Sequence, residues 1–169
     1  MFLIPFERLT IETPLSPEEV RQRLAEVIEP GRGFKSFSQN HKAYQGELKE
    51  HQFEVTRIIH YRNSFLPVIK GEIRQDLGGS VIDIKMSPHI FVIVFMMLWF
   101  GFAGTIFLVV AGVALVSFWQ SSGEDISMLA GIYIPAGFLI FGYLLVMGGF
   151  KFEAVKSKAF FRELFPNQL

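Results

Sequence analysis

The chain has 169 residues, with 16 Lys+Arg, 16 Asp+Glu, 4 His and no Cys; half of its residues are hydrophobic and 19% are charged. That length allows one domain of ordinary size with a small appendage. The lack of cysteine excludes a disulfide framework and a thiolate zinc site, and a net charge of zero argues against a nucleic-acid-binding protein, which normally carries a basic excess.

The first 89 residues are polar enough to fold in water. Phe2, Ile4 and Phe6 alternate with Leu3, Pro5 and Glu7 and predict an extended strand, with Leu9 and Ile11 continuing an apolar row. Next comes LSPEEVRQRLAEVIEPGRG, in which Ser16 suits an N-cap, Pro17 suits N1 and Glu19 completes a capping box. Val20, Leu24, Val27 and Ile28 form one apolar stripe, so a helix is expected over 17–28, stopped by Pro30 and Gly31. From Gly33 the period drops to two. Strands are expected at 33–38, 43–49, 52–60, 67–75 and 80–87, with Phe53, Val55, Arg57 and Ile59 on one face and a hairpin turn at Gly78-Gly79. Successive short strands without intervening helices imply a mostly antiparallel sheet.

The charges are strongly segregated. No Asp, Glu, Lys or Arg occurs between Met86 and Gly123, or between Ile126 and Phe150. Ile90 to Phe118 reads IFVIVFMMLWFGFAGTIFLVVAGVALVSF; 29 helical residues would reach roughly 43 Å, more than a hydrocarbon core of about 30 Å. A short polar link, 119–127, precedes a second apolar stretch, 128–150, so the pair is expected to form an antiparallel transmembrane hairpin. Pro135 is expected to kink the second helix near Gly131. Gly101, Gly104, Ala111, Gly112, Ala114, Gly137 and Gly142 offer small residues for close helix contact, within the hairpin or along an oligomer seam.

Twelve Lys and Arg precede the first apolar helix, four follow the second, and the link carries only Glu124 and Asp125. The positive-inside rule then places both termini in the cytoplasm of a multi-pass protein of the plasma (inner) membrane. MFLIPF is apolar, but Glu7 and Arg8 interrupt it before the length of a signal-peptide core, so insertion is expected to depend on the internal helices. A last helix is expected in 151–169, where Phe152, Val155, Ala159 and Phe160 share a face that Phe161, Leu164 and Phe165 widen. It suits either the membrane surface or the apolar face of the N-terminal sheet.

The expected fold class is therefore α+β: a cytoplasmic antiparallel sheet with N- and C-terminal helices, and a two-helix transmembrane hairpin inserted before the last helix. The strand running into LSPEEVRQRL, together with the C-terminal FRELF, resembles the helix-grip (START-like) plan. That resemblance implies a hydrophobic cavity for a lipid-like ligand between sheet and final helix.

Chemistry is sparse. His41, His51, His60 and His89 are spaced 10, 9 and 29 apart, which matches no zinc motif. Ser38 and His41 lack an acidic partner or a GxSxG signature, and neither a GxxxxGK[ST] loop nor a GxGxxG after a strand occurs. No catalytic residue, metal or cofactor is expected. The densest polar cluster runs from Arg57 through His60, Tyr61, Arg62, Asn63 and Ser64; Arg57, His60, Tyr61 and Arg62 are the candidates for holding a phosphate or lipid headgroup. The ordinary reading of the same residues is a strand end and its turn with exposed cations.

The expected role is non-enzymatic: an accessory, scaffold, or lipid or hydrophobic-ligand-binding module at the membrane. The expected partners are the bilayer, a lipid-like ligand, and a second copy or another membrane protein, with no nucleic acid. A homo-oligomeric pore or membrane-perturbing effector is the first rival, and a lipid-modifying enzyme the second.

Overall fold

A computed structural model describes residues 4–31, 42–120 and 130–165. It shows an α+β protein: a six-stranded sheet and three helices, two of them long and apolar. In chain order the elements are β1 (Glu7–Thr13), α1 (Pro17–Val27), β2 (Ile28–Pro30), β3 (Tyr44–Leu48), β4 (Gln52–Arg57), β5 (Pro67–Asp76), β6 (Gly79–Pro88), α2 (Ile90–Gln120) and α3 (Tyr133–Leu164). The expected strand at 33–38 and the Ser38–His41 pair lie outside the described residues. The chain divides into two compact units, Met1–His89 with Gly149–Leu169, and Ile90–Gly148.

In the first unit the strand order is β1-β6-β5-β4-β3-β2. Every neighbouring pair is antiparallel except the short β2–β3 pair, which is parallel. Helix α1 runs straight into β2: Ile28 is extended, and its N–H still bonds the Leu24 carbonyl. Helix α1 starts as its sequence dictates. Ser16 Oγ accepts from the Glu19 N–H at 3.3 Å, and Glu19 Oε2 accepts from the Ser16 N–H at 2.8 Å. It ends one residue early, because Ile28 buries itself as the first residue of β2.

Two strand expectations need correction. Strand β1 begins only at Glu7, and its buried row is Leu9, Ile11 and Thr13. Ile4 and Phe6 have the opposite parity, precede the strand and are exposed. The hairpin between β5 and β6 closes with Asp76 opposite Gly79, so its loop residues are Leu77 and Gly78. Gly79 is the first residue of β6 at φ +148, and a Cβ there would overlap the Thr13 carbonyl.

One face of the sheet carries the core. Across the strands, Leu9, Ile84, Gly71 and Phe53 form one row, and Met86, Ile69 and Val55 the next. Gly71 has a packing reason: a Cβ would overlap the Phe53 ring, which lies across β5. Val20 and Leu24 of α1, Phe150, Ala154 and Phe161 of α3, and Phe165 just after it complete the same buried cluster. This buried stripe of α3 is rotated from the expected one. Phe152 and Val155 are 59% and 64% exposed, while Glu153, Ala154 and Ser157 are fully buried. The polar identities of Glu153 and Ser157 concealed the stripe that periodicity would otherwise reveal.

The second unit contains α2 and the start of α3. Both helices are long and apolar enough to cross a membrane, and only 6% and 11% of their most apolar stretches are buried within the protein. Trp99 of α2 stacks on Phe138 at 5.9 Å and on Phe95 at 6.0 Å. The helical path is broken near Gly131 as expected: Ala130 is helical, Gly131 and Ile132 form a turn, and the helix resumes at Tyr133. Because α3 starts at Tyr133, Pro135 sits in its first turn, where an amide has no helical partner to lose.

Candidate functional site

The inner face of β4 points Phe53, Val55 and Arg57 toward α3. At the end of the strand the apolar row gives way to a cation. Arg57 Nη1 donates to Glu153 Oε2 at 2.9 Å, and the Glu153 side chain is 0% exposed. Tyr61, after the strand, donates its hydroxyl to Glu153 Oε1. Lys156, one helical turn on, lies 3.5 Å from the same oxygen, with its ammonium 3.8 Å from the centre of the Phe152 ring. One buried carboxylate therefore gathers an arginine, a phenol and a lysine.

Burial acts to raise the Glu153 carboxyl. The hydrogen bonds from Tyr61 and Arg57, and the charges of Lys156 and Arg57, outweigh it and hold the group below its ordinary value. Glu153 in turn pushes the Tyr61 phenol up, chiefly through the hydrogen bond between them. Beside this group the Tyr44 hydroxyl and Ser157 Oγ are buried too, and burial raises the Tyr44 phenol. Asn63 ties the following turn to α3: its Nδ2 donates to the Gly149 carbonyl at 3.0 Å, and its Oδ1 accepts from the Phe65 N–H at 3.0 Å.

Of the four candidates read from the sequence, Arg57 and Tyr61 are thus brought together on Glu153, whereas His60 and Arg62 are exposed on the turn beyond. His51 and His89 are exposed elsewhere. Among the described residues no three His, Asp or Glu side chains are grouped to hold a metal ion. Sequence reading missed Glu153. The only signal available was one acid among Lys151, Lys156 and Lys158, and that pattern reads equally well as a solvated face.

A second polar contact holds the other side of α3. Glu7 sits on the inner face of edge strand β1, opposite Met86, and pairs with both Lys151 and Lys158. Burial again acts to raise its carboxyl, and the two lysines together prevail and lower it.

Between sheet and α3, aromatic rings pack against one another. Tyr44 lies 5.1 Å from Phe160 and 5.2 Å from Phe161, and Phe53 lies 5.9 Å from Phe161. The second unit has an apolar groove of about 430 Å³ lined by Trp99, Phe102, Ile106, Ile134, Pro135 and Phe138. Comparison with known protein families, characterised proteins and solved structures finds no match to this chain.

Proposed function

We propose that the chain is a two-pass integral membrane protein with both termini cytoplasmic, whose first unit serves as a non-enzymatic accessory, scaffold or lipid-binding module. One observation carries this reading: the exposed surface of α2 is uncharged over its 31 residues, and Ala114 is its single buried residue among those described. Such a surface is stable against hydrocarbon and costly in water. Orientation rests on the asymmetry of Lys and Arg. The helix-grip likeness extends to a helix following the first strand and a final helix over the sheet, and a lipid-like ligand is carried by that likeness alone. Within this reading His60 and Arg62, exposed beside the Arg57–Tyr61–Glu153 group, are the residues left to meet an anionic headgroup.

The test is carbonate extraction combined with a reporter fused at residue 122. Retention in the membrane pellet and an extracytoplasmic reporter are expected. Release by carbonate overturns the membrane reading, and a cytoplasmic reporter overturns the topology.

A second reading, self-association, is favoured by the glycines of the second unit. A Cβ at Gly101, Gly104, Gly112 or Gly137 would meet nothing within 4 Å, whereas one at Gly142 would approach Trp99. Glycines with open space beside them among the described residues leave room for a helix of another copy. Crosslinking in native membranes distinguishes the readings, since a strict monomer excludes the oligomer.

A further inference from the structure

The face of the sheet opposite the core is a solvent-facing groove of about 610 Å³, with Arg8, Lys49, Lys70, Glu72, Asp83 and Lys85 in its lining. The strand register sets three of its cations in one line. Arg8 of β1 stands directly opposite Lys85 of β6, and Lys85 directly opposite Lys70 of β5. With strands about 4.8 Å apart, three positive side chains leave the sheet within roughly 10 Å. Like charges directly opposite one another are unfavourable; the same face also sets Glu72 opposite Asp83 and Glu54 opposite Glu47.

The other cations of the groove are paired. Lys70 pairs with Glu54 at 3.0 Å, Lys49 with Glu47 at 3.4 Å, and Arg74 with Asp83. Arg8 and Lys85 have no carboxylate partner among the described residues. Two cations outside any ion pair among the described residues thus stand side by side on paired strands.

We propose that Arg8 and Lys85, flanked by Lys70, bind the dianion of a phosphomonoester. The charge matches, since such a group carries about −1.5 to −2 near neutral pH. The chemistry matches as well: the guanidinium of Arg8 offers two parallel N–H donors to a phosphate, and the lysines add point charges. The adjoining row carries Glu72 opposite Asp83, with Thr10 donating to Asp83 at 2.8 Å. The ester substituent therefore lies against acceptors, which favours one bearing hydroxyl or amine groups over a further anion. The site is independent of whether α2 and α3 cross a membrane, so its failure and the failure of that reading are separate results.

The experiment uses the full chain in detergent micelles at low salt. Calorimetric titration is done with glycerol 3-phosphate in one arm and with phosphatidic acid in mixed micelles in the other. Saturable binding in at least one arm is expected. It should weaken at least about tenfold in the Arg8→Gln/Lys85→Gln variant, fade as salt rises, and persist in Lys49→Gln, which changes a paired cation of the same face. Saturation by glycerol 3-phosphate assigns a soluble ester, and saturation by phosphatidic acid alone assigns a lipid headgroup. Absence of saturation in both arms overturns the proposal. So does unchanged binding by Arg8→Gln/Lys85→Gln, or equal weakening by Lys49→Gln.

Discussion

Arg57 of β4 donates to Glu153 of α3 at 2.9 Å, joining positions 96 residues apart through a carboxylate with no solvent exposure. Removing one partner of such a pair strands the other, which costs more than the pair contributes. Arg57→Leu leaves Glu153 with Tyr61 and Lys156, so a loss on the order of 2 kcal/mol is expected. In Arg57→Leu/Glu153→Leu the loss should be smaller than the sum of the two single losses. Denaturant unfolding of the four proteins measures this coupling, and additive losses would show that the contact contributes nothing of its own.

Acid should loosen the same unit. The carboxyls of Glu7 and Glu153 lie below their ordinary value of 4.5 in the folded chain. Their contribution is therefore fully present above about pH 4.5 and is lost as pH falls through the lowered native values. Melting temperature is expected to hold from pH 7 to 5 and to drop below it. Glu7→Gln should be less stable at neutral pH and show a shallower acid slope. An acid slope identical to that of the unaltered chain would remove Glu7 from this account.

The rotated stripe on α3 separates two phenylalanines that sequence periodicity treats alike. Phe161 is fully buried against Tyr44 and Phe53, and Phe161→Ala is expected to cost about 3–5 kcal/mol. Phe152 is mainly exposed, and Phe152→Ala should change stability by about 0.5 kcal/mol or less. Equal losses in the two variants would contradict the observed rotation of the helix.

At Gly71 the packing argument becomes a paired test. Gly71→Ala places a methyl group inside the Phe53 ring and should destabilise by about 1–3 kcal/mol. Combining it with Phe53→Leu vacates part of that space. The second substitution should then cost less in the Gly71→Ala background than alone, as thermal melts of the double variant would reveal.

The α1 cap, the alternation of β3 to β6 and the two uncharged helices were legible because each is written in local periodicity and turn chemistry. What escaped were features set by partners far along the chain. Ile28 reads as the last helical residue until β3 offers it a strand to pair with. Ile4 and Phe6 read as strand residues, yet the buried row of β1 has the other parity. In the candidate site, Arg57 and Tyr61 stood out as polar residues at a strand end. Their common partner Glu153 lies on a helix whose apolar spacing pointed elsewhere, and no local pattern identifies a buried acid before the cation it meets is known.

The first unit is discontinuous in sequence. Its sheet is complete by residue 88, yet the Phe161 and Phe165 rings that cover it arrive only after the whole Ile90–Gly148 unit. At 5–20 residues per second, synthesis of 90–165 takes roughly 4–15 s. Over that interval a nascent chain holds a β-sheet without the Phe150, Phe161 and Phe165 rings that cover part of its hydrophobic face. A ribosome that stalls or a gene truncated after α2 would therefore release a sticky half-domain, and quality control of this protein must act on its N-terminal half while its C-terminal end is still being translated.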